Sequence, residues 1–366
     1  MSPTGLGPLV RLWGLRTAQL PAPNASTDDL KALLVPILEE AVPFIDSAAP
    51  KSSPSAVDRS LWKLKGSHAH ADSAAKVEVS ERVVSAPDLE KLAATSRENL
   101  KGRVRAEAWC CRRSVHEDKA EKGSASWDEF ERCFRDAHAE TEKKFTPACL
   151  AARRALQWDC TGIEASAGGL TWGDFSLVVE EMRHRIGRPV LKDRTFPVLQ
   201  MTCKATTGRE FLVVSIPVPD FGRASDKSTL ASEKGAQVAF YVSVERIRRL
   251  DDGDGKGSVE WLMATASDAA GALPAWVQNM AAPGVIWKDV PLFLGWIAKE
   301  RGVVSNGGKK EVDRGESGEV VPQTSTGVEV GNVPTVSEGT SDAAPGGPQV
   351  STGVEISETA KVSGSG

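Results

Sequence analysis

The chain has 366 residues and a net charge of −4 at neutral pH. That length supports one large domain or two small ones with ample core. From Ser305 onward four Lys or Arg face nine Asp or Glu, so the rest is close to neutral and has no electrostatic case for nucleic-acid binding.

The six cysteines, Cys110, Cys111, Cys133, Cys149, Cys160 and Cys203, form no C-x-x-C pair and no zinc-finger spacing with His. They read as free thiols in a reducing compartment, which predicts a cytoplasmic location, with a nuclear one as the alternative. The first residues lack a basic stretch followed by an apolar run, so no secretory signal is expected. No apolar run approaches the ~20 residues that span a bilayer.

Met1 to Asn24 is expected to be weakly ordered. Ser26 or Thr27 caps a helix over Asp28 to Ala48, with Leu30, Leu34, Ile37, Leu38, Ala41 and Ile45 on its apolar face. Pro36 and Pro43 are expected to bend or cut it. Ala49 to Val57 reads as a Pro/Ser linker. His68 and His70 form an H-x-H pair without a third ligand nearby, so Gly66 to Ala75 reads as a solvated loop rather than a metal site. Val77 and Val79 mark a strand, and Pro87 to Leu100 an exposed helix or loop. Val104 to His116 alternates as a strand, and His116-Glu117-Asp118 follows as a charged turn. Ser126 and Glu129 make a capping box for a helix that turns Trp127, Phe130 and Phe134 inward, with His138 at the border. A second helix is expected from Thr146-Pro147 to about Trp158.

From Trp172 the texture is strand. Phe175 to Arg185, Arg194 to Lys204, Glu210 to Pro219, Val238 to Leu250 and Val259 to Ser267 are five β-rich runs, with a hairpin at Gly208. The polar segment Gly222 to Gly235 is long enough for a rim or gate. Asp251 to Gly255 resembles half a calcium loop. Leu262 stands where the closing Glu belongs, so it reads as a turn. In the last strand Val259, Trp261, Met263 and Thr265 alternate with Glu260, Leu262, Ala264 and Ala266. An apolar stripe then runs through Leu273, Trp276, Met280, Trp287, Val290, Leu294 and Ile297, giving a helix of roughly 28 residues, about 40 Å long. A kink or hinge is expected near Pro283, and Asp289 can cap a restarted half with Pro291 in its first turn. Beyond Gly302 aromatic residues vanish. Gln323-Thr-Ser-Thr-Gly-Val-Glu-Val recurs as Gln349-Val-Ser-Thr-Gly-Val-Glu-Ile, either duplicated linker or a motif for a protein partner. The composition predicts a disordered acidic tail.

The order helix, strands, helices, antiparallel strands and a long amphipathic helix predicts an α+β helix-grip fold, a curved antiparallel sheet around the C-terminal helix. The expected organisation is a helical segment and linker over 1–58, the gripping domain over 59–302 and the tail over 303–366. Cys111 to Ala120, Ser126 to Glu131, Arg194 to Leu199, Ser243 to Arg246 and Val259 to Asp268 resemble the fungal family catalogued as domain of unknown function 3074, which is START-like. Asp268-Ala-Ala-Gly-Ala-Leu-Pro-Ala-Trp276 is similar to the D-x-x-G-x-x-P-x-W entry to the closing helix of steroidogenic-acute-regulatory-related lipid transfer domains. The resemblance covers about Trp62 to Arg301.

It implies a pocket between sheet and helix for a lipid or other apolar small molecule, for binding, transfer or sensing, with transient membrane contact. Burial alone supplies affinity there, roughly 25 cal/mol per Å². The expected wall is Phe240, Val242, Trp261, Met263, Trp276 and Met280, and the expected polar anchors are Tyr241, Glu245 and Arg246. No nucleophile elbow, phosphate loop, dinucleotide fingerprint or metal cluster occurs, so no catalytic residue, metal or cofactor is assigned. The alternatives are a START-like enzyme of cyclase or hydrolase type, using His138 or His184 with Glu181 or Arg183, and a filled core serving only interaction.

Overall fold

Alternating strands dominate because long runs of the chain place large apolar side chains at every second position. The computed structural model describes residues 7–49, 60–95, 104–185, 192–250, 257–268 and 284–307, all within one compact unit, Met1–Val312. Most of the expected linker, the Asp251–Gly255 turn, the Leu273–Pro283 half of the last helix with its hinge, and the repeats of the tail lie outside the described residues.

The strands are β1 (Lys63–His70), β2 (Ser73–Val84), β3 (Glu107–Glu117), β4 (Cys149–Trp158), β5 (Ala165–Ala167), β6 (Leu170–His184), β7 (Arg194–Ala205), β8 (Glu210–Pro217), β9 (Gln237–Val238), β10 (Phe240–Leu250) and β11 (Ser258–Asp268). The sheet runs in the order β1-β2-β3-β11-β10-β8-β7-β6-β4 and does not close; β5 adds to β6, and β9 pairs β7 in parallel. All other pairings are antiparallel. Gly208, at φ 80°, turns the β7–β8 hairpin where a side chain would be strained.

Strand parity sorts the sheet into two faces. On one face Leu212, Val214, Val242, Val244, Leu262, Ala264 and Ala266 join a core with helix α1 (Thr27–Ala48). On the other, Phe211, Val213, Ile247, Val259 and Trp261 join Trp127, Phe130, Phe134, Phe145, Val290, Phe293, Leu294 and Ile297. Apolar residues on both faces, read from sequence as a demand for helix or ligand, therefore reflect two separate cores.

Helix α1 keeps its Ser26–Asp29 capping box and runs unbroken through Pro36 and Pro43, so the prolines do not cut it. Each interior proline costs about 3 kcal/mol. Nine buried residues on α1, at roughly 1.5–3 kcal/mol for each large one, outweigh that. The segment before it is also more ordered than expected. The Leu9 and Val10 N–H groups donate to the Glu40 carboxylate, and the Leu12 N–H donates to Glu107. The Leu15 N–H donates to the Pro217 carbonyl. Short helix α2 (Ala86–Thr95) follows β2.

On the other face, α3 (Trp127–Phe130) opens on the expected Ser126–Glu129 capping box. It continues through a π-turn over Glu131–Asp136 into α4 (His138–Phe145). The predicted second helix after Thr146 is instead β4. Its Ala, Leu and Arg favour helix, but the segment pairs β6 along the sheet edge; tertiary pairing overrides propensity. His68 and His70 likewise lie on β1, and His68 stacks on Trp287 at 4.8 Å between ring centres. Short helix α5 (Phe221–Ala224) opens the segment after β8. The last helix, α6 (Asp289–Gly307), begins at Asp289, with Pro291 in its first turn. Arg301 ties its far end to Glu129 at 2.6 Å.

Candidate functional site

A cavity of about 470 Å³ opens between the α6 face of the sheet, α4 and the start of α6. Its floor is set by register. Arg112 on β3 lies opposite Met263 on β11, which lies opposite Glu245 on β10. The next row brings Thr265 beside Ser243. Side chains directly opposite in a ladder stand close enough to interact, so the floor is a polar row in an apolar neighbourhood. The roof and walls come from elsewhere: Phe134 and Phe145 from the helical segment, Phe196 from β7, Phe240 and Tyr241 from the start of β10, and Val285 and Leu292 around the start of α6.

The floor is tightly wired. Glu245 accepts from Trp261 Nε1 at 2.6 Å and from Arg112 Nη2 at 3.3 Å, and it meets His138 Nε2 at 3.4 Å. The Arg112 guanidinium lies 4.0 Å over the Trp261 ring and donates to Met263 Sδ at 3.6 Å. Gln200 Nε2 is 3.3 Å from His138 Nδ1. Desolvation alone would raise the Glu245 carboxyl; the His138 hydrogen bond and the Arg112 charge win, and it falls below its usual range. Burial likewise works against charge on His138, but the hydrogen bond and charge of Glu245, with Glu142 and Glu180, raise its pKa. Each of the three groups thus favours charge on its neighbour along the row His138–Glu245–Arg112. At the mouth, half-buried Asp289 stands 3.5 Å from Arg112 Nε. Desolvation raises its carboxyl to about 6, aided by Glu142 and Glu245 and opposed by Arg112. Burial pushes the Tyr241 phenol up.

Of the residues expected to form the site, Phe240, Tyr241, Glu245 and Met263 border this cavity. Trp261 is fully buried behind the floor, where it holds Glu245. Val242 and Arg246 do not reach it, because parity turns them to the α1 face. Val242 packs in that core, and Arg246 pairs with Asp46 and with Glu260 at 3.4 Å. Trp276 and Met280 lie outside the described residues. Glu181 and Arg183, named as helpers for an enzymatic reading, also sit on the α1 face. Glu181 there accepts from Ser228 Oγ and from the N–H groups of Thr229, Leu230 and Ala231. The expected gate, Gly222 to Gly235, is thus pinned on the side away from the cavity, and none of its residues borders it.

Sequence reasoning missed Arg112 and Asp289. A charge at the inward parity of β3, two residues past Cys110, was the available signal for Arg112. Asp289 was read only as a helix cap. Among the described residues no cluster of three His, Cys, Asp or Glu side chains is placed to hold a metal, and no helix is long and apolar enough to cross a membrane. A wider surface groove of about 1000 Å³ at the β4–β6 edge, bordered by Asp159, Glu164, Asp174 and Lys204, contains none of the expected site residues.

Fold and site together define a class: an open antiparallel sheet gripping a C-terminal helix, with an apolar cavity over a buried charged floor. The chain belongs to the family described as protein of unknown function (DUF3074), whose profile matches residues 109–297, just over half of it. Among solved structures it is similar to human STARD10, at 14% identity and a TM-score of 0.41, over 67% of this chain and 76% of that one. It is also similar to the human StarD13 (DLC2) lipid transfer and protein localization domain, at 10% identity and a TM-score of 0.37, over 65% and 88%. Comparison with the curated proteins finds no match.

Proposed function

We propose that the chain binds a lipid or other apolar small molecule in the cavity between the sheet and the helices α4 and α6. The observation that supports this is the cavity itself: about 470 Å³, walled by Phe134, Phe145, Phe196, Met263 and Leu292, with a few polar groups converging on its floor. That combination of apolar wall and sparse, placed polar groups is the usual make-up of a small-molecule site. Transfer or sensing requires the occupant to leave. Val285 and Leu292, at 40% and 36% exposure beside the mouth, offer apolar surface for a transient membrane contact. An acid–base role in the same cavity would fall to His138 with Glu245, and no observation favours it over binding.

Native mass spectrometry of the full-length chain purified from its host, with extraction and identification of any bound molecule, tests this reading. A stoichiometric amphiphile that is displaced by added lipid is expected. A chain that carries nothing, and whose thermal stability no lipid or sterol raises, would count against it.

A further inference from the structure

We infer that the occupant carries one anionic oxygen group, a carboxylate on a single chain or a compact ring system, and that this group replaces Asp289 beside Arg112. The inference rests on the binding reading above and names its ligand class. Arg112 is 2% exposed and borders the cavity, yet among the described residues its Nη1 has no hydrogen-bond acceptor. Its Nε has only the Asp289 carboxylate, 3.5 Å away and without hydrogen-bond geometry. A buried guanidinium with unfilled donors is costly, because all five of its N–H groups lost water on folding. Arg11, Arg135, Arg246 and Arg249 also keep unfilled nitrogens, but none of them borders the cavity.

The surroundings decide what would fill the vacant donors. Glu245 already serves three donors, Arg112, His138 and Trp261, so it has little left to offer. Glu142 faces His138 at 3.9 Å and His184 at 3.8 Å. Asp289 is the replaceable partner. It sits on the first residue of α6, 36% of its side chain is exposed, and it holds Arg112 by charge at a distance. A hydroxyl would offer Nη1 an acceptor without charge. A carboxylate offers Nη1 an acceptor and balances the guanidinium, the stronger of the two pairings. Size narrows the class further. A cavity of about 470 Å³ has room for one acyl chain or a compact ring system.

The test is calorimetric titration of the full-length chain with laurate, lauryl alcohol and methyl laurate, which share a chain and differ in the head. Wild type is expected to bind laurate roughly tenfold more tightly than the alcohol. Asp289→Asn, which removes the competing carboxylate, should widen that ratio. Arg112→Gln should collapse it to about one, and Arg112→Lys should restore part of it. If Arg112→Gln does not fold, Asp289→Asn decides alone, and a ratio that stays the same or narrows overturns the inference. Alcohol and ester bound as tightly as the acid would overturn it while leaving lipid binding in place. Failure of all three probes to bind, with no lipid or sterol raising thermal stability either, would remove both readings.

Discussion

The same strands meet opposite environments on the two faces of the sheet. On the α1 face Leu212, Val244 and Leu262 are closed over by one long helix. The charges there neutralise one another: Glu260, fully buried, takes Arg248 at 2.6 Å, Arg113 at 2.7 Å and Arg246 at 3.4 Å. On the α6 face the row Arg112–Met263–Glu245 is equally buried in charge but adjoins a cavity, and one guanidinium keeps unfilled donors. A buried charge therefore does not mark a site. What marks it is a buried charge whose hydrogen bonds are incomplete next to open space.

Glu260→Gln is the harshest way to break the comparison. It leaves three arginines facing a neutral amide on the closed face, so a loss of about 3–5 kcal/mol is expected, read from urea unfolding at neutral pH. A loss below about 1 kcal/mol would show that the closed face is not held by its charges. On the opposite face, Leu294→Ala should cost about 2–5 kcal/mol, since Leu294 is fully buried against Phe293 and its neighbours. Met263→Trp separates filling from folding. It should cost about 1–3 kcal/mol in overpacking while abolishing ligand uptake, whereas Val242→Trp on the closed face should lower stability and spare uptake in whatever fraction folds.

The smallest effect is a pH dependence carried by the Asp289 carboxyl on the open face. The Asp289 carboxyl is raised from 3.8 to about 6, so the folded state binds its proton more tightly than the unfolded chain does. That contribution is fully present below pH 3.8 and is lost as pH rises through 6. His138 is raised too, so its share is present below 6.5 and disappears as pH climbs through the folded value. Glu245 is lowered, so its share is present above 4.5 and disappears as pH falls through the folded value. Thermal melts of Asp289→Asn and wild type should therefore converge at low pH and diverge between pH 4 and 6, with the variant the less pH-sensitive. Parallel curves across that window would place the titration elsewhere.

Much of the fold is legible in the residues themselves. β6, β7, β8, β10 and β11 follow from β-rich runs bounded by turn residues, and β11 also from its alternation. The Ser26 and Ser126 caps follow from local chemistry, since the hydroxyl and the carboxylate three residues on satisfy backbone groups within one turn. Trp127, Phe130 and Phe134 were correctly turned inward by helical spacing. In the candidate site, Tyr241, Glu245 and Met263 were within reach of the same alternation, and Arg112 falls within the Cys111–Ala120 segment on which the family resemblance rested.

Other features required the assembled sheet. Val242 and Arg246 were assigned to the cavity because alternation says which residues share a face, but not which face meets α1 and which meets α6. The order of segments along the chain leaves that choice open, and only the packing of α1 closes it. β4 reads as helix because its Ala, Leu and Arg favour one, until the unpaired edge of β6 offers a ladder. Leu9 to Leu15 carries no local signal at all; its order comes from Glu40, Glu107 and Pro217, up to two hundred residues away in sequence. The meeting of Arg112, Glu245, His138 and Asp289 is of the same kind. Each comes from a different strand or helix, and only register between β3, β11 and β10, with α4 and α6 laid across them, brings their charges into one cavity.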